Sequence, residues 1–520
     1  MKKLLVALMA ICIVFSCFGV VSFAEAEATG ETKTVDALIG AYYLQGENGY
    51  GYAPGGVQYT FETYPKKHDY TIADKMAELL TGTDRIPFYA YDVDGKVFFD
   101  KYAQDYHLSE INAAAAAGID FMAYRYYAGV DKSFFGSEQR VTALSNMNHQ
   151  LKRHQTLYSM NAYDKDVKYA TVIDGDLKSN KSVDIETYVD QFLITKGCLT
   201  SSDGRPVVFV IWNDDIENQI KKINRRVKIV VSNGANDKKA DYPETPLDPS
   251  IEKAYFVALN APSYAEAIAK GADTVSWYEG SGKNGEAYAN MAATVEAKWA
   301  TADKAIPNVV TGFDKTILAN NPIEIKTNKY SDDAEVTVRF SRSGAADESV
   351  AKATPTEIVD QLKKAVATTN KPAELNAVMM YAWDDFLGGA YLCPTKTDKA
   401  NQYDMSYLTA MREYFYGKAE GMTSLAVLNN DGNRVVTDAD GTVTTYKGST
   451  DEILSKVDKD GNVIATPAPD NNDDSQGGDN GNNSADNGWI LYVAIGAAVV
   501  VVAAVVIIIV ASKGKKKATK

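Results

Sequence analysis

Two adjacent carboxylates, Asp384 and Asp385, follow directly after Trp383 and an apolar run at residues 377–382. The run is short, unbroken and hydrophobic, as expected of a strand that is buried on both faces of a parallel sheet. In a barrel of parallel strands, the chemistry is done at the carboxyl ends of the strands. Acidic groups beside an aromatic ring at such an end suit a sugar, because carboxyl groups exchange protons with glycosidic oxygens and rings stack on pyranose faces.

Aromatic, amide and carboxylate side chains also follow several other apolar runs. Any one of them could be a packing residue, since the chain contains 32 Tyr. Their recurrence at the same end of many strands favours a shared binding cleft, because sugar hydroxyls need fixed hydrogen-bond partners. The side chains predicted to bind substrate are Tyr42, Tyr43, Arg125, Tyr126, Asn161, Trp212, Trp277, Tyr278, Asp314, Trp383 and Asp384.

Short apolar runs alternate with helical segments along residues 35–418. The candidate strands lie at residues 38–44, 119–126, 156–161, 206–212, 228–231, 254–259, 274–278, 308–312 and 377–383. Helical segments are expected at residues 108–117, 216–225, 264–269, 288–300 and 356–369. This alternation predicts an α/β fold with a parallel sheet, and eight strands without a nucleotide-binding loop favour a closed (β/α)8 barrel of the TIM type. One of the two runs at 228 and 254 is then surplus.

Both ends of the chain carry membrane-related signals. Two lysines, an apolar stretch and small residues near position 26 predict a secretory signal peptide at residues 1–26. The charge-free run at 489–511 is long enough to cross a bilayer as one helix, and the lysine-rich tail at 512–520 predicts a cytoplasmic C-terminus. The sequence therefore predicts a single-pass protein of the cell membrane with an extracellular ectodomain.

Two further segments separate the barrel from this apolar run. Residues 421–464 alternate apolar and polar side chains around NNDG, DADG and DKDG, which predicts a small β-rich extension with hairpin turns. These Asp-rich turns lack the spacing and closing Glu of a calcium loop, so we interpret them as structural. Residues 465–488 consist mainly of Asn, Asp, Gly, Ser and Pro, which predicts a disordered linker.

Charge and composition narrow the function further. The formal net charge is −14, and without residues 1–26 and 489–520 it becomes about −20, since Lys+Arg falls from 54 to 47 and Asp+Glu from 68 to 67. An acidic protein with no basic patch is not expected to bind nucleic acid. No cofactor or metal site is expected, and His149 and His154 are predicted to be a solvated pair on a helix. Cys198 and Cys393 could form one disulfide or stay free.

Five segments of the chain together resemble a known group of proteins. They are GAYYLQG at residue 40, AAAAGIDFMAYRYY at 114, GRPVVFVIW at 204, ADTVSWYEG at 272 and MMYAWDDFLGGAYLCP at 379. In order and spacing these segments resemble WbsX-like proteins and glycoside hydrolase families 99 and 71, over residues 38–416. The resemblance implies a (β/α)8 barrel that acts on α-linked glycans, such as α-glucan or α-mannan.

The resemblance also implies a catalytic pair at the end of the last strand. In these families the strand ends in a pattern like Trp-Asn-Glu/Asp-aromatic-x-Glu, with the two carboxylates three residues apart. Here Asp385 matches the first carboxylate and Phe386 the aromatic residue, while Asp384 replaces the Asn and Gly388 stands where the second carboxylate is expected.

Glycoside hydrolysis commonly uses two carboxyl groups separated by about 5 to 9.5 Å, and Gly388 supplies none. We therefore consider Glu279 as the replacement acid and Asp214 as the second choice, although Glu279 could equally be an acceptor for a sugar hydroxyl. Two hypotheses follow. The protein is a surface-tethered glycosidase that uses Asp385 with a relocated acid, or it is a barrel without turnover that serves as a membrane-anchored glycan-binding or adhesion module.

Overall fold

The structure is a computed structural model, and it describes the larger part of the chain. The described residues are 32–44, 79–93, 96–99, 104–128, 148–175, 177–233, 248, 250–278, 280, 282–283, 285–302, 304–314, 316–317, 323–327, 336–340, 349–369, 374–397, 402–422, 424–428, 433–438, 440–447 and 452–464.

Eight parallel strands form one sheet that curls into a nearly closed barrel. The strands are β1 Leu38–Tyr43, β2 Phe121–Arg125, β3 Lys168–Ile173, β4 Val207–Ile211, β5 Tyr255–Leu259, β6 Thr274–Ser276, β7 Asn308–Val310 and β8 Ala377–Tyr381. Their order in the sheet is β6-β5-β4-β3-β2-β1-β8-β7, so each strand lies beside its neighbours in the chain. At the seam between β6 and β7, the Ile306 amide donates to the Val275 carbonyl at 2.9 Å. The predicted eight-stranded α/β barrel is confirmed.

A helix follows each strand in the described part of the chain. The helices are α1 Gln104–Ala116, α2 His149–Ser159, α3 Ser182–Tyr188, α4 Ile216–Asn233, α5 Tyr264–Ala269, α6 Tyr288–Trp299, α7 Pro355–Thr368 and α8 Ser406–Tyr416. Local sequence sets several of their starts. Thr354 forms a capping box with Glu357 at the start of α7, and the Ser263 side chain accepts the Glu266 amide at the start of α5.

Two of the predicted strands are wrong, and one strand was missed. The run at 156–161 belongs mostly to α2, where Leu151, His154 and Leu157 are buried at helical spacing. The run at 228–231 lies inside α4, so it is the surplus one. The third strand is β3 instead, whose Lys and Thr interrupt the apolar signal although all but its first residue are buried.

Aromatic rings fill the barrel interior. The Phe121 and Phe209 rings, from β2 and β4, stack with centroids 6.3 Å apart, and Tyr42 of β1 meets Phe209 at 5.8 Å. Rings from strands that are not neighbours can meet only inside the barrel. Gly40 of β1 makes room for them, because a Cβ at this position would lie 2.2 Å from the Phe121 ring.

A small antiparallel sheet follows the barrel, as the alternation at 421–464 predicted. Its strands are Leu425–Leu428, Arg434–Thr437, Val443–Tyr446 and Ile453–Val457, paired in chain order. The sheet rests on α1, where the Ser109 hydroxyl accepts the Ala426 amide at 3.1 Å. The remaining strands of the described residues form four antiparallel pairs: Ala90–Val93 with Lys96–Phe99, Ile323–Thr327 with Val336–Phe340, Asp384–Asp385 with Ala390–Tyr391, and Thr395–Lys396 with Tyr403–Asp404.

The predicted localisation needs correction. No helix among the described residues is long and apolar enough to cross a membrane. This finding contradicts the assignment of the chain as a single-pass membrane protein. The segments on which that assignment rested, residues 1–26, 465–488, 489–511 and 512–520, lie outside the described residues.

The tight packing around Gly40 yields a stability prediction. Gly40→Ala should lower the free energy of unfolding by about 1 to 3 kcal/mol, because the added methyl group must displace the Phe121 ring inside a filled barrel. Chemical denaturation measures this loss. The control is Gly175→Ala, where the nearest atom to a new Cβ is 3.6 Å away, in ordinary contact. A Gly40→Ala protein as stable as this control would contradict the packing described for the interior.

Candidate functional site

The side chains at the strand ends alternate between the barrel interior and the helix layer, as in any β-strand. Tyr42 points inward and meets Tyr278 at 4.9 Å between ring centroids. Its neighbour Tyr43 points outward, and its hydroxyl donates to Glu110 of α1 at 2.9 Å. Of this predicted pair of adjacent residues, one side chain therefore enters the interior and the other the space behind the strands.

Three tyrosines form a layer at the carboxyl end of the interior. The Tyr381 ring of β8 lies 5.0 Å from Tyr278 and 6.1 Å from Tyr42. The Asn260 side chain fixes Tyr278 by accepting its amide at 3.0 Å and donating to its carbonyl at 3.1 Å. Of the sequence-predicted residues, this layer brings together Tyr42 and Tyr278, and it leads directly to Asp385.

Asp385 lies at this layer and is fully buried. The Tyr381 hydroxyl donates to its Oδ2 at 2.9 Å, and the Gly388 amide donates to its Oδ1 at 2.8 Å. A Cβ at Gly388 would lie 2.3 Å from Oδ2, so the position opposite Asp385 has room only for glycine. Where the resembling families are expected to carry a second carboxylate, this chain places a backbone N–H that binds the first.

Asp384 is also fully buried, but it has a different partner. Its Oδ1 accepts the Leu44 amide at 2.7 Å, just beyond β1. The two adjacent carboxylates thus serve separate purposes. Asp384 ties the turn after β8 to the chain after β1, and Asp385 closes the turn itself.

An ion pair joins the ends of β2 and β3. Arg125 Nη2 lies 2.8 Å from Asp174 Oδ2, and the two side chains are 29% and 31% exposed. Both face inward, because Phe121 of the same strand is interior and Tyr169 and Thr171 of β3 contact the helices. Asp174 is a candidate site residue that the sequence prediction missed, because it misplaced the third strand. The sequence pattern for a strand end with a carboxylate was present, since Asp174 directly follows the run KYATVI.

Further polar and aromatic residues directly follow β4 and β6 at the carboxyl ends of the strands. Trp212 and Trp277 are half-buried, and Asp214 is exposed. Asn213 lies beside Gly175, and its Nδ2 donates to the Ile211 carbonyl at 2.8 Å.

Asp314 stands just beyond the end of β7, as predicted, and is paired with Arg85. Burial opposes ionisation of Asp314, but hydrogen bonds from Thr316 and Arg85 outweigh it and hold the pKa of this carboxyl below its usual value. The Asp314 amide donates to the Gly388 carbonyl at 2.6 Å, and Arg85 Nη1 donates to the Phe386 carbonyl at 3.4 Å. The Arg85–Asp314 pair therefore braces the turn that contains Asp385.

Five predicted binding residues do not line a cleft, and one of them is the buried Asp384 described above. Tyr43 and Trp383 are fully buried behind the strands, and the Tyr126 ring packs against Tyr188 and Phe192 in the helix layer. Asn161 follows α2 and precedes β3, so it lies at the opposite end of the barrel. The expectation that these residues face substrate is corrected, because strand alternation and the helical state of residues 149–159 turn them elsewhere. Glu279, the first choice for the acid, lies outside the described residues.

A buried polar cluster lies behind β1 and β8. Glu110 accepts hydrogen bonds from Tyr43 and from Trp383 Nε1, the latter at 3.0 Å. Burial raises the pKa of Glu110 to about 7, against the hydrogen bonds from Trp383, Tyr43 and Cys393. His154 belongs to the same region and is fully buried, so it is not the solvated helix residue that the sequence predicted. No apolar pattern marks a Glu on an inner helix face, so Glu110 was not predicted as a buried residue.

The two candidate cysteines are free thiols. Cys393 is buried beside Glu110, with Sγ 3.6 Å from Oε1, and Cys198 lies before β4. Within the described ranges, no group of three or more His, Cys, Asp or Glu side chains is arranged to hold a metal ion.

Comparisons with known proteins find similarity in structure alone. No family model matches the chain, and no curated protein matches it. A GH99 endo-alpha-mannosidase structure from Bacteroides thetaiotaomicron shares 13% identity over 73% of this chain and 97% of its own, with a TM-score of 0.39. Its complex with BIS-TRIS-Propane gives 12% identity, the same coverage and a TM-score of 0.36.

A structure described as a glycoside hydrolase-like protein shares 13% identity over 73% of this chain and 94% of its own, with a TM-score of 0.43. The two endo-alpha-mannosidase structures are of family 99, and none of the three supports the family 71 part of the resemblance. With TM-scores below 0.5, they transfer no residue role to this chain.

The contact between Gly388 and Asp385 can be tested by a double-mutant cycle. Gly388→Ala should lower the melting temperature by several degrees, because its methyl group would displace the Asp385 carboxylate from its two donors. In an Asp385→Ala background the same change should cost much less, giving a coupling of roughly 0.5 to 3 kcal/mol. Thermal unfolding of the four proteins measures the coupling. Additive losses would show that the two residues do not compete for space.

Proposed function

We propose that this barrel is a glycoside hydrolase-like protein that acts on an α-linked glycan of the glucan or mannan type. The observation that carries the proposal is the barrel mouth. There the partly exposed Arg125–Asp174 pair joins the ends of β2 and β3, and the half-buried Trp212 and Trp277 directly follow β4 and β6. Rings that can stack on sugar faces beside charged hydrogen-bonding groups are the usual composition of a carbohydrate site.

Carboxyl groups at the strand ends supply the chemistry of this proposal. Asp174 is accessible and fixed by Arg125, and Asp214 stands exposed after β4. We propose Asp385 as the base or nucleophile that the family resemblance implies, with Glu279 or Asp214 as the acid. Hydrolysis needs one carboxyl to protonate the leaving oxygen and a second one to act on the anomeric carbon or on water.

A specific observation favours a second candidate function, a glycan-binding barrel without turnover. Asp385 is fully buried, and both of its oxygens already accept hydrogen bonds. Gly388 offers no second carboxylate and no space for one. A barrel with this turn could still hold a sugar through the Arg125–Asp174 pair and the tryptophans.

Incubation of the purified chain with a panel of α-mannans and α-glucans separates the two functions. Hydrolysis should produce new reducing ends, and Asp385→Asn should then lower turnover by about 100-fold or more with binding nearly unchanged, because an amide cannot act as base or nucleophile. Glu279→Gln and Asp214→Asn identify the acid by the same measurement. Asp174→Asn should weaken binding, since it removes the charge that fixes Arg125.

Asp166→Asn is the matched control, because this exposed carboxylate precedes β3 at the other end of the barrel. Binding of a glycan without new reducing ends would select the binding barrel. A chain that neither cleaves nor binds any member of the panel would contradict both functions.

A further inference from the structure

Glu110 of α1 is a fully buried carboxyl group that the proposed chemistry does not use. Its Oε1 accepts from Trp383 Nε1 at 3.0 Å and from Cys393 Sγ at 3.6 Å. Its Oε2 accepts from the Tyr43 hydroxyl at 2.9 Å and lies 3.3 Å from His107 Nδ1. The contact with His107 decides the protonation state, because either atom could carry the proton.

A chain of hydrogen bonds that begins at a backbone carbonyl fixes the direction of this contact. The Val167 carbonyl can only accept, so His154 Nε2 carries a proton and donates to it at 2.9 Å. The neutral His154 then accepts at Nδ1 from the Tyr124 hydroxyl, at 2.8 Å. The Tyr124 hydroxyl has only one proton, and it donates this proton to His154. In the contact between Tyr124 and His107 Nε2, at 3.5 Å, the nitrogen must therefore be the donor.

Burial and the nearby charge of Arg153 lower the pKa of His107, so its imidazole is neutral. With the proton on Nε2, the unprotonated nitrogen is Nδ1, and its neighbour is Glu110 Oε2. An ionised Glu110 would place two acceptors against each other in a fully buried site. We propose that Glu110 is held as a neutral carboxylic acid that donates to His107, and that in this form it is a positioning residue for the Asp384–Asp385 turn. The positioning role rests on the function proposed above, whereas the protonation state of Glu110 is independent of that function.

Trp383 connects Glu110 to the turn. Its indole is fixed by Glu110, its amide donates to the Tyr42 carbonyl at 2.8 Å, and its carbonyl accepts the Leu392 and Cys393 amides. The two ends of the turn that contains Asp384 and Asp385 are therefore joined at this one residue. A change in the charge of Glu110 would therefore act on Trp383, the residue at which the two ends of the turn meet.

The pKa shifts agree with this geometry. Burial raises the pKa of Glu110 to about 7, and burial lowers the pKa of His107 and of His154 to about 3. Titratable and charged groups face the cluster from each element packed against it. They are Tyr43 of β1, Tyr89 before α1, Tyr106 of α1, Tyr124 of β2, Arg153 of α2, Tyr163 before β3, and Asp384 and Cys393 after β8.

The sign of the pH effect follows from the raised pKa. Between about 4.5 and 7 the folded protein holds a proton on Glu110 that the unfolded chain releases. The stability gained from the neutral acid is therefore fully present at low pH and is lost as the pH rises through 7. His107 and His154 have the opposite effect on stability. Their pKa values are lowered, so they reduce the stability of the fold as the pH falls from 6.5 toward 3.

Three variants test the proposal. Glu110→Gln mimics the neutral acid, Glu110→Ala removes it, and Glu413→Gln is the control at an exposed Glu on α8. At pH 6, Glu110→Gln should melt within about 2 °C of the wild type, and Glu110→Ala several degrees lower. From pH 5 to pH 8 the wild type should lose stability relative to Glu110→Gln, and the histidine effects cancel because both proteins contain them.

The proton can also be observed directly. Infrared spectra at pH 5.5 should show a carboxylic-acid C=O band that is absent in Glu110→Gln, present in Glu413→Gln and lost in the wild type above pH 7. Nitrogen-15 NMR should show His107 as a neutral imidazole protonated at Nε2. A charged His107 beside an ionised Glu110, or a band unaffected by Glu110→Gln, would overturn the proposal.

The positioning role has its own measurement. If the chain binds or cleaves a glycan, Glu110→Gln should retain most of that activity at pH 6 and keep it above pH 7, where the wild type declines. Identical pH profiles for the two proteins would refute positioning. If no glycan is bound or cleaved, the proposed function fails, whereas the infrared and NMR results still decide the state of Glu110.

Discussion

The two-residue period of the parallel strands is the constraint on which the rest of this structure depends. Adjacent side chains point to opposite faces, so each strand end supplies one group to the barrel interior and the next to the helix layer. Tyr42 and Arg125 take the first position, and Tyr43 and Tyr126 the second. The chain therefore has two polar regions back to back. One is an accessible mouth at the strand ends, and the other is a buried cluster centred on Glu110.

The turn after β8 lies between these two regions and is fixed from both. On the inner side, Tyr381 and the Gly388 amide hold Asp385, and on the outer side the Trp383 indole reaches Glu110. This arrangement explains why glycine occupies position 388. A backbone N–H can approach the Asp385 carboxylate, but any side chain would collide with it. The departure from the expected pair of carboxylates is thus part of how the turn is built.

Sequence patterns were sufficient for the architecture but not for the direction of side chains. Runs of apolar residues located seven of the eight barrel strands, because strands buried on both faces keep an unbroken signal. They did not locate β3, because Lys168 and Thr171 interrupt its apolar run. Asp174 was therefore not recognised as a residue at a strand end. Burial of His154 could not be foreseen either, because its partners come from β2 and from the segment before β3, brought together only by folding. The predicted localisation is contradicted, since no helix among the described residues could cross a membrane.

Helix α1 connects the barrel to the small sheet that follows it. Ser109 binds the backbone of Ala426 in that sheet, and the next residue, Glu110, faces the barrel. The end of the same helix is held by Arg412 of α8, whose Nη1 donates to the Ala116 carbonyl at 2.8 Å. A buried carboxyl group needs partners at fixed positions, because small displacements leave polar atoms unpaired at a cost of about 1 to 3 kcal/mol each. The contacts on the outer side of α1 therefore support the hydrogen bonds on its inner side, and through Trp383 they support the turn that carries Asp385.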